Sequence, residues 1–216
     1  MPRFRGRGPH IVERIVRWPS HVLGSAVFDL QVTGKEHIPA TGGVVIASNH
    51  FSHLDVPLLA TNLDRYVRFL AVDELFGNSK LFDATLNFFQ AIPIDRDGYP
   101  IRALRTAIEY LQNGELIGLF PEGRRVEQWG VDKPKRGAAW LAWKTGAPLV
   151  PVAIQGTQHA LSPASKGMQR TAVRIWVEEP LMWDDYVDYA DPLSSMMADW
   201  YERVNKHLEP WSTRES

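Results

Sequence analysis

Three apolar runs of strand length constrain the fold of this chain more than any other feature. They are "GGVVIAS" at residues 42–48, "ELIGLF" at 115–120 and "PLVPVAI" at 148–154. A helical pattern precedes each of the last two runs. These patterns are "PIRALRTAIEYLQNG" at 100–114 and "KRGAAWLAWKTG" at 135–146. Apolar strands that alternate with helices predict an α/β layered fold, with a largely parallel central sheet and helices on both of its faces.

Weaker patterns complete this layout. Further strands are predicted at "FDLQVTG", "YVRFLAV", "AIPI" and "AVRIWVEE", and further helices at "DVPLLATNL", "LFDATLNFFQ" and from "DP" at 191–192 onward. Helical spacing places apolar side chains on one face of the helix at 100–114, and of the last helix, where we expect them to pack on the core. These residues are Ile101, Leu104, Ile108 and Leu111, and Leu193, Met196, Met197, Trp200, Val204 and Leu208.

Length and composition indicate one folded domain. The chain has 216 residues and a formal net charge of -1, which gives no general case for nucleic-acid binding. It has no cysteine, so disulfides, thiolate metal sites and a cysteine nucleophile are excluded. We divide it into an N-terminal basic amphipathic segment, residues 1–29, and an α/β domain, residues 30–216.

The N-terminal segment predicts contact with a membrane surface. Five arginines stand against one glutamate in residues 1–18, beside Ile11, Ile15 and Trp18, and the pattern reads as two short helices broken at "WPS". Basic and aromatic side chains together are typical of helices that lie on anionic lipid. No stretch approaches the roughly 18 apolar residues of a spanning helix. We therefore expect a peripheral protein at the cytoplasmic face of the cell membrane.

Polar clusters follow three of the predicted strands. They are "NHFSHLD" at 49–55, "DRDG" at 95–98 and "PEGRR" at 121–125. The carboxyl ends of parallel strands share one edge of the sheet, where ligands bind in folds of this class. We therefore expect the three clusters to form a single site.

The first cluster is compatible with three kinds of chemistry. In one, His50 is a general base oriented by Asp55, with Ser52 capping a helix whose first turn holds Asp55. In another, Ser52 is the nucleophile of a hydrolytic triad, although it lacks the flanking glycines of a tight nucleophile turn. In the third, His50, His53 and Asp55 bind a metal ion. Local spacing alone leaves all three open.

Four motifs in order resemble those of the glycerolipid acyltransferase family. They are H-x4-D from His50 to Asp55, "IPIDR" ending at Arg96, "FPEGRR" at 120–125 and "VPVAI" at 150–154. The motifs span residues 41–157, and the resemblance is closest to bacterial 1-acyl-sn-glycerol-3-phosphate acyltransferases. The N-terminal segment is similar to the membrane-binding motif of some members.

The resemblance implies transfer of a fatty acyl group from acyl-CoA or acyl carrier protein to a hydroxyl of lysophosphatidate, in phospholipid biosynthesis. His50 and Asp55 would be catalytic, and no metal or cofactor is implied beyond the thioester co-substrate. Other acceptors remain possible interpretations: glycerol 3-phosphate, another lysolipid or a glycolipid alcohol. From a different class, the chain could be a membrane-associated protein that binds lipid without turnover.

The remaining site residues are also carried over from the motifs. Arg96 and Arg125 match positions that hold the acceptor's phosphate, Glu122 matches the motif carboxylate, and Gly123 would let backbone N–H groups approach the thioester oxygen. Two positions depart from the pattern. Arg124 stands where relatives commonly have threonine, and Val72 stands where relatives often have lysine. We therefore expect Arg124 to replace the missing cation at the phosphate.

Overall fold

The predicted strands form one seven-stranded sheet. The structure is a computed structural model that describes residues 28–72, 91–94, 101–160 and 170–212. The strands are β1 (Asp29–Thr33), β2 (Val44–Ser48), β3 (Val67–Val72), β4 (Ile92–Ile94), β5 (Leu116–Leu119), β6 (Leu149–Gln155) and β7 (Ala172–Val177). Their spatial order is β1-β7-β6-β2-β5-β3-β4.

All neighbouring strands pair in parallel except β6 and β7, which are antiparallel. The prediction of a largely parallel sheet is therefore confirmed. Because β2, β3, β4, β5 and β6 run in one direction, their carboxyl ends lie at one edge. β2 is hydrogen-bonded to β5 on one side and to β6 on the other, which brings the loops after β2 and β5 together.

Helices cover both faces of the sheet, as predicted. They are α1 (Asp55–Asn62), α2 (Ile101–Gln112), α3 (Gly137–Thr145), the short α4 (Thr157–Ala160) and α5 (Pro192–Ser212). The buried side chains of α2, α3 and α5 form one apolar core, and those of α1 belong to a second core on the opposite face. Two 3-10 turns, Lys35–His37 and Trp183–Asp185, were not predicted.

The β2 strand is buried on both faces, between the two apolar cores. All five of its residues are buried; Val45 and Ala47 pack in the core of α2, α3 and α5, while Val44 and Ile46 pack in the core of α1. A strand buried on both faces has no room for polar alternation, because successive side chains point to opposite sides. This accounts for the apolar run in the sequence.

The predicted helix faces are mostly confirmed. In α5, Trp200, Val204 and the other predicted side chains pack in the core. In α2, Leu111 is buried and Leu104 and Ile108 are partly buried, but Ile101 is 57% exposed, so the prediction for Ile101 is wrong. The helix begins at this residue, and Ala103 and Ala107 occupy the buried face instead. The helix predicted at "LFDATLNFFQ" lies outside the described residues.

The predicted N-terminal segment also lies outside the described residues, apart from its last two positions. Phe28 is buried in the core, and Asp29 pairs with Ala172 in the ladder of β1 and β7. The boundary predicted between residues 29 and 30 therefore falls inside the first strand of the α/β domain. Of the helices that the structure describes, none combines the length and apolarity needed to cross a bilayer.

Trp200 ties α5 to the strand that leads into the site. Its side chain is fully buried, and its Nε1–H donates to the carbonyl oxygen of Ala47 in β2 at 2.9 Å. The ring of Trp129 packs against it edge-on, with 5.9 Å between centroids. One side chain thus supplies both apolar contact and a polar partner at the end of β2.

Replacing Trp200 should therefore destabilise the whole domain. Trp200→Phe removes the donor to Ala47 and leaves a cavity, and we expect it to lower the free energy of unfolding by about 2 to 4 kcal/mol. The matched control is Trp143→Phe, since Trp143 is 44% exposed; its cost should stay below about 1 kcal/mol. Urea denaturation followed by circular dichroism measures both, and equal losses would contradict the assignment.

Candidate active site

The loop after β2 is organised by the carboxylate of Asp55. Its Oδ2 atom accepts hydrogen bonds from the backbone N–H groups of Phe51 at 2.7 Å and Ser52 at 2.8 Å. The same oxygen lies 2.8 Å from Nδ1 of His50. Asp55 is fully buried at the first position of α1. Because one oxygen gathers the donors of three successive residues, the carboxylate fixes the path of the loop between β2 and α1.

This contact also fixes the proton arrangement of the His50 ring. An oxygen that already accepts two backbone N–H groups is an acceptor for the third partner as well, so Nδ1 carries a proton and donates it to Asp55. In the neutral ring, Nε2 is then the unprotonated nitrogen, and it makes no hydrogen bond to the described residues. The side chain is 16% exposed, which leaves the ring accessible at one end.

Ser52 has a different local role from the one predicted. Leu54, not Ser52, is the N-cap of α1. The hydroxyl oxygen of Ser52 accepts from the backbone N–H of Leu54, and its carbonyl accepts from that of Asp55, both at 3.2 Å. These bonds form the turn that precedes the helix. The N–H of Ser52 itself donates to the side chain of Asp55. Ser52 itself is fully buried, which makes it a poor nucleophile for a triad.

Asn49 holds the end of β2 in place. Its Nδ2 donates to the carbonyl oxygen of Ile154 and its Oδ1 accepts from the N–H of Ile154, each at 2.8 Å. The buried amide thus reproduces the pattern of a backbone pair and extends the contact between β2 and β6 by one position. His50 therefore leaves the sheet from a rigid point. The sequence placed Asn49 in the polar cluster but assigned it no role.

The ring of His50 stacks on Phe120, which sequence reasoning missed. The two centroids are 3.8 Å apart with 10° between the planes, and Phe120 stacks in turn on Phe69 at 5.2 Å. Gly118 makes room for this column, because a Cβ there would lie 2.5 Å from the Phe69 ring. The only sequence signal was the position of Phe120 at the start of "FPEG".

Glu122 joins the two loops. Its Oε2 accepts from the backbone N–H of His50 at 2.7 Å, and the carbonyl of His50 accepts from the N–H of Val126 at 2.9 Å. Glu122 is only 5% exposed. Burial raises the pKa of its carboxyl group to about 8, with a smaller contribution from the charge of Asp55, while the bond from His50 acts in the opposite direction. In this structure Glu122 therefore holds the backbone of His50.

Gly123 shapes the turn that follows. Its φ angle of 75° lies in the left-handed region that glycine adopts without strain. Its N–H donates to the carbonyl oxygen of Phe120 at 2.9 Å, which closes a turn around Glu122. The N–H of Gly123 is thus used within the loop, and the expectation that Gly123 lets backbone N–H groups approach the thioester oxygen stays a prediction.

The two arginines of "PEGRR" lie in different surroundings. Arg124 is 59% exposed at its side chain and forms a two-point ion pair with Asp132, with Nε–Oδ2 at 2.8 Å. That carboxylate raises the pKa of the guanidinium group of Arg124. Asp132 therefore occupies the fork of Arg124 in this structure, and the expectation that Arg124 binds the phosphate stays a prediction.

Arg125 lies close enough to His53 to affect its charge. It is half-buried, and it forms no ion pair with the residues that the structure describes. Burial lowers the pKa of His53, and the nearby positive charge of Arg125 lowers it further. The guanidinium group is thus close to the His50 loop without a carboxylate to neutralise it. Arg96, the other predicted phosphate ligand, lies outside the described residues.

The alternative metal site gains no support from this arrangement. Within the described ranges, no three side chains of His, Asp or Glu are grouped so that they could hold a metal ion. Oδ2 of Asp55 is occupied by its three donors. What the loop presents is a histidine with one nitrogen bound to a buried carboxylate and the other available, a geometry suited to removing a proton.

Comparison with known proteins identifies the family. The Acyltransferase family profile matches residues 29–155. The chain is 33% identical over 182 residues to a 1-acyl-sn-glycerol-3-phosphate acyltransferase of Bacillus subtilis (strain 168), across 83% of this chain and 86% of that protein. It is 25% identical over 183 residues to the chloroplastic 1-acyl-sn-glycerol-3-phosphate acyltransferase BAT2 of Brassica napus, across 83% of this chain and 52% of the plant protein.

A solved structure shares the fold. The 1-acyl-sn-glycerophosphate (LPA) acyltransferase PlsC from Thermotoga maritima superposes with a TM-score of 0.76 and 26% sequence identity, across 99% of this chain and 86% of that chain. The matched profile includes the loops after β2 and β5 and ends with β6. With the profile, the Bacillus relative and the shared architecture in agreement, this chain belongs to the Acyltransferase family of enzymes.

Proposed function

We propose that this acyltransferase transfers a fatty acyl group from a thioester to the free hydroxyl of lysophosphatidate. The observation that carries the proposal is the contact of 2.8 Å between His50 Nδ1 and the buried Oδ2 of Asp55. The names of the Bacillus and Thermotoga relatives supply the acceptor. The donor is acyl-CoA or acyl carrier protein, both of which present the acyl group as a thioester.

In this proposal, Nε2 of His50 removes the proton of the acceptor hydroxyl as its oxygen bonds to the thioester carbonyl carbon. The carbon–sulfur bond then breaks, and the imidazolium returns the proton to the departing thiolate. A thiolate is a good leaving group, so no covalent acyl-enzyme is required. The chain's lack of cysteine is therefore compatible with the chemistry.

Asp55 and Glu122 position His50 from two directions. Asp55 holds the ring in one tautomer and stabilises the positive charge that the ring acquires. Glu122 binds the backbone N–H of the same residue. Phe120 supports the flat side of the ring. Each of these contacts restricts a rotation of His50 that would move Nε2 away from the acceptor. Less entropy is therefore lost when the reactive geometry forms.

The cationic side of the site supports a phosphate-bearing substrate. Arg125 lies near His53 and forms no ion pair with a described carboxylate. A guanidinium fork matches two oxygens of a phosphate, and its position near the His50 loop suits an acceptor that carries both a hydroxyl and a phosphate. The motif match gives Arg96 the same role in this proposal.

His50→Ala should lower the rate of CoA release by about 100-fold or more, because the general base is lost. The matched control is His53→Ala, which removes the neighbouring exposed histidine and should keep at least about a tenth of the rate. A thiol reagent follows CoA release from acyl-CoA with lysophosphatidate, and mass spectrometry identifies phosphatidate.

Equal losses in His50→Ala and His53→Ala would favour the metal-site alternative, in which both histidines are ligands. Full activity in His50→Ala would contradict the proposed mechanism. Lipid binding by the wild-type protein without CoA release from any acceptor would instead favour a lipid-binding protein that lacks turnover.

The pKa of Glu122 gives a prediction of stability against pH. Its folded value of about 8 lies above the ordinary 4.5, so folding favours the protonated form. That stabilisation is complete below about pH 4.5 and is lost as the pH rises through about 8. Glu122→Gln keeps an oxygen acceptor for the N–H of His50 and cannot titrate. Its stability relative to wild type should therefore rise between about pH 5 and pH 9, by at most about 1.4 kcal/mol for each pH unit.

Urea denaturation at several pH values measures this difference. Glu127→Gln is the control, because Glu127 is exposed in the same loop, and its stability should follow that of the wild type. Parallel curves for wild type and Glu122→Gln would mean that Glu122 is ionised throughout this pH range.

We also propose that the protein lies on the cytoplasmic face of the cell membrane through its basic N-terminal segment, where lysophospholipid acceptors reside. Removing residues 1–27 should abolish co-sedimentation with vesicles of phosphatidylglycerol, while the folded domain that begins at Phe28 remains intact. Vesicles of phosphatidylcholine are the control for charge. Unchanged binding of the shortened protein to anionic vesicles would refute this assignment.

A further inference from the structure

Lys135 lies over the turn that contains Glu122 and Gly123. A Cβ placed on Gly123 would lie 2.5 Å from Nζ of Lys135 and 2.9 Å from its Cε. The approach is therefore possible because position 123 carries no side chain. The backbone N–H of Lys135 donates to the carbonyl oxygen of Pro121 at 2.8 Å, so the far end of the loop is fastened beside its start. Backbone geometry thus delivers the ammonium group to the turn that holds His50.

The charge of Lys135 is available to a ligand. Lys135 is exposed, and it forms no ion pair with a carboxylate among the described residues. Asp132, one of the loop's carboxylates, is taken by Arg124 in a two-point pair. Glu122 is buried, with its Oε2 on the N–H of His50. The loop therefore presents one neutralised cation, Arg124, and three that no described carboxylate pairs, Arg125, Lys133 and Lys135.

We propose that Lys135 binds a phosphate group of a substrate, together with Arg125, and that it takes the place sequence reasoning had given to Arg124. The inference rests on the proposed function, which supplies phosphate-bearing substrates. An ammonium group is a compact point charge that binds phosphate oxygens without the geometric demands of a guanidinium fork. A phosphate bound by Nζ of Lys135 would lie beside Gly123, two residues before Arg125 in the sequence.

Two substrates carry this chemistry. Lysophosphatidate has one phosphate monoester, and acyl-CoA has a diphosphate and a 3′-phosphate. The two sources differ in which Michaelis constant responds. If Lys135 holds the acceptor, its loss raises the KM for lysophosphatidate; if it holds the donor, its loss raises the KM for acyl-CoA.

The test compares Lys135→Met with Lys133→Met, which removes an equally exposed lysine two residues earlier. We expect Lys135→Met to raise the KM of one phosphate-bearing substrate about tenfold or more, as expected for loss of a charge-assisted hydrogen bond. Lys133→Met should stay within about twofold of wild type for both substrates. Lys135→Arg keeps the positive charge and should recover at least half of the lost affinity on a logarithmic scale.

Calorimetric titration of lysophosphatidate and of CoA into the same variants measures binding without turnover. These titrations separate the two proposals. A wild-type protein that binds lysophosphatidate and CoA but releases no CoA from acyl-CoA contradicts the proposed function. The role of Lys135 is still decided by the Kd values of the variants for these two ligands. A change below about twofold in both KM and Kd values for Lys135→Met, or the same change in Lys133→Met, overturns the inference.

Discussion

One oxygen of the buried Asp55 carboxylate binds three hydrogen-bond donors, and these donors determine the site. A fully buried carboxylate is costly unless hydrogen bonds surround it. Here a single oxygen collects two backbone N–H groups and the ring of His50. Those bonds fold the loop, start α1 and orient the imidazole together.

The sheet supplies the second half of the site by placing β5 beside β2. The loop after β5 then meets the His50 loop through Glu122, Val126 and Phe120, which contact His50 at its N–H, its carbonyl and its ring. Trp200 and Asn49 secure the end of β2 from the other side. The contacts between the two loops hold His50 in place, so that the nitrogen of the base keeps its position.

The structural features that depend on residues close together in the sequence were predicted from sequence patterns. The bounds of α2 followed from helical spacing, and the contact of His50 with Asp55 across a turn was one of the arrangements that the sequence indicated, because these partners lie within a few positions. The strands followed from their apolar runs. The partners of Glu122 and Phe120 lie 70 or more residues away, and only the order of the strands brings them together. For Arg124 the motif gave the position, but the ion pair with Asp132 could not be predicted from it.

The tautomer of His50, read from the nitrogen-15 chemical shifts of its ring by NMR at neutral pH, decides whether Nε2 can act as the base. We predict that Nδ1 carries the proton and donates it to Asp55, that Nε2 carries none, and that Asp55→Ala removes this preference. A proton on Nε2 in the wild-type protein, with Nδ1 bare, would contradict the assignment of Nε2 as the base.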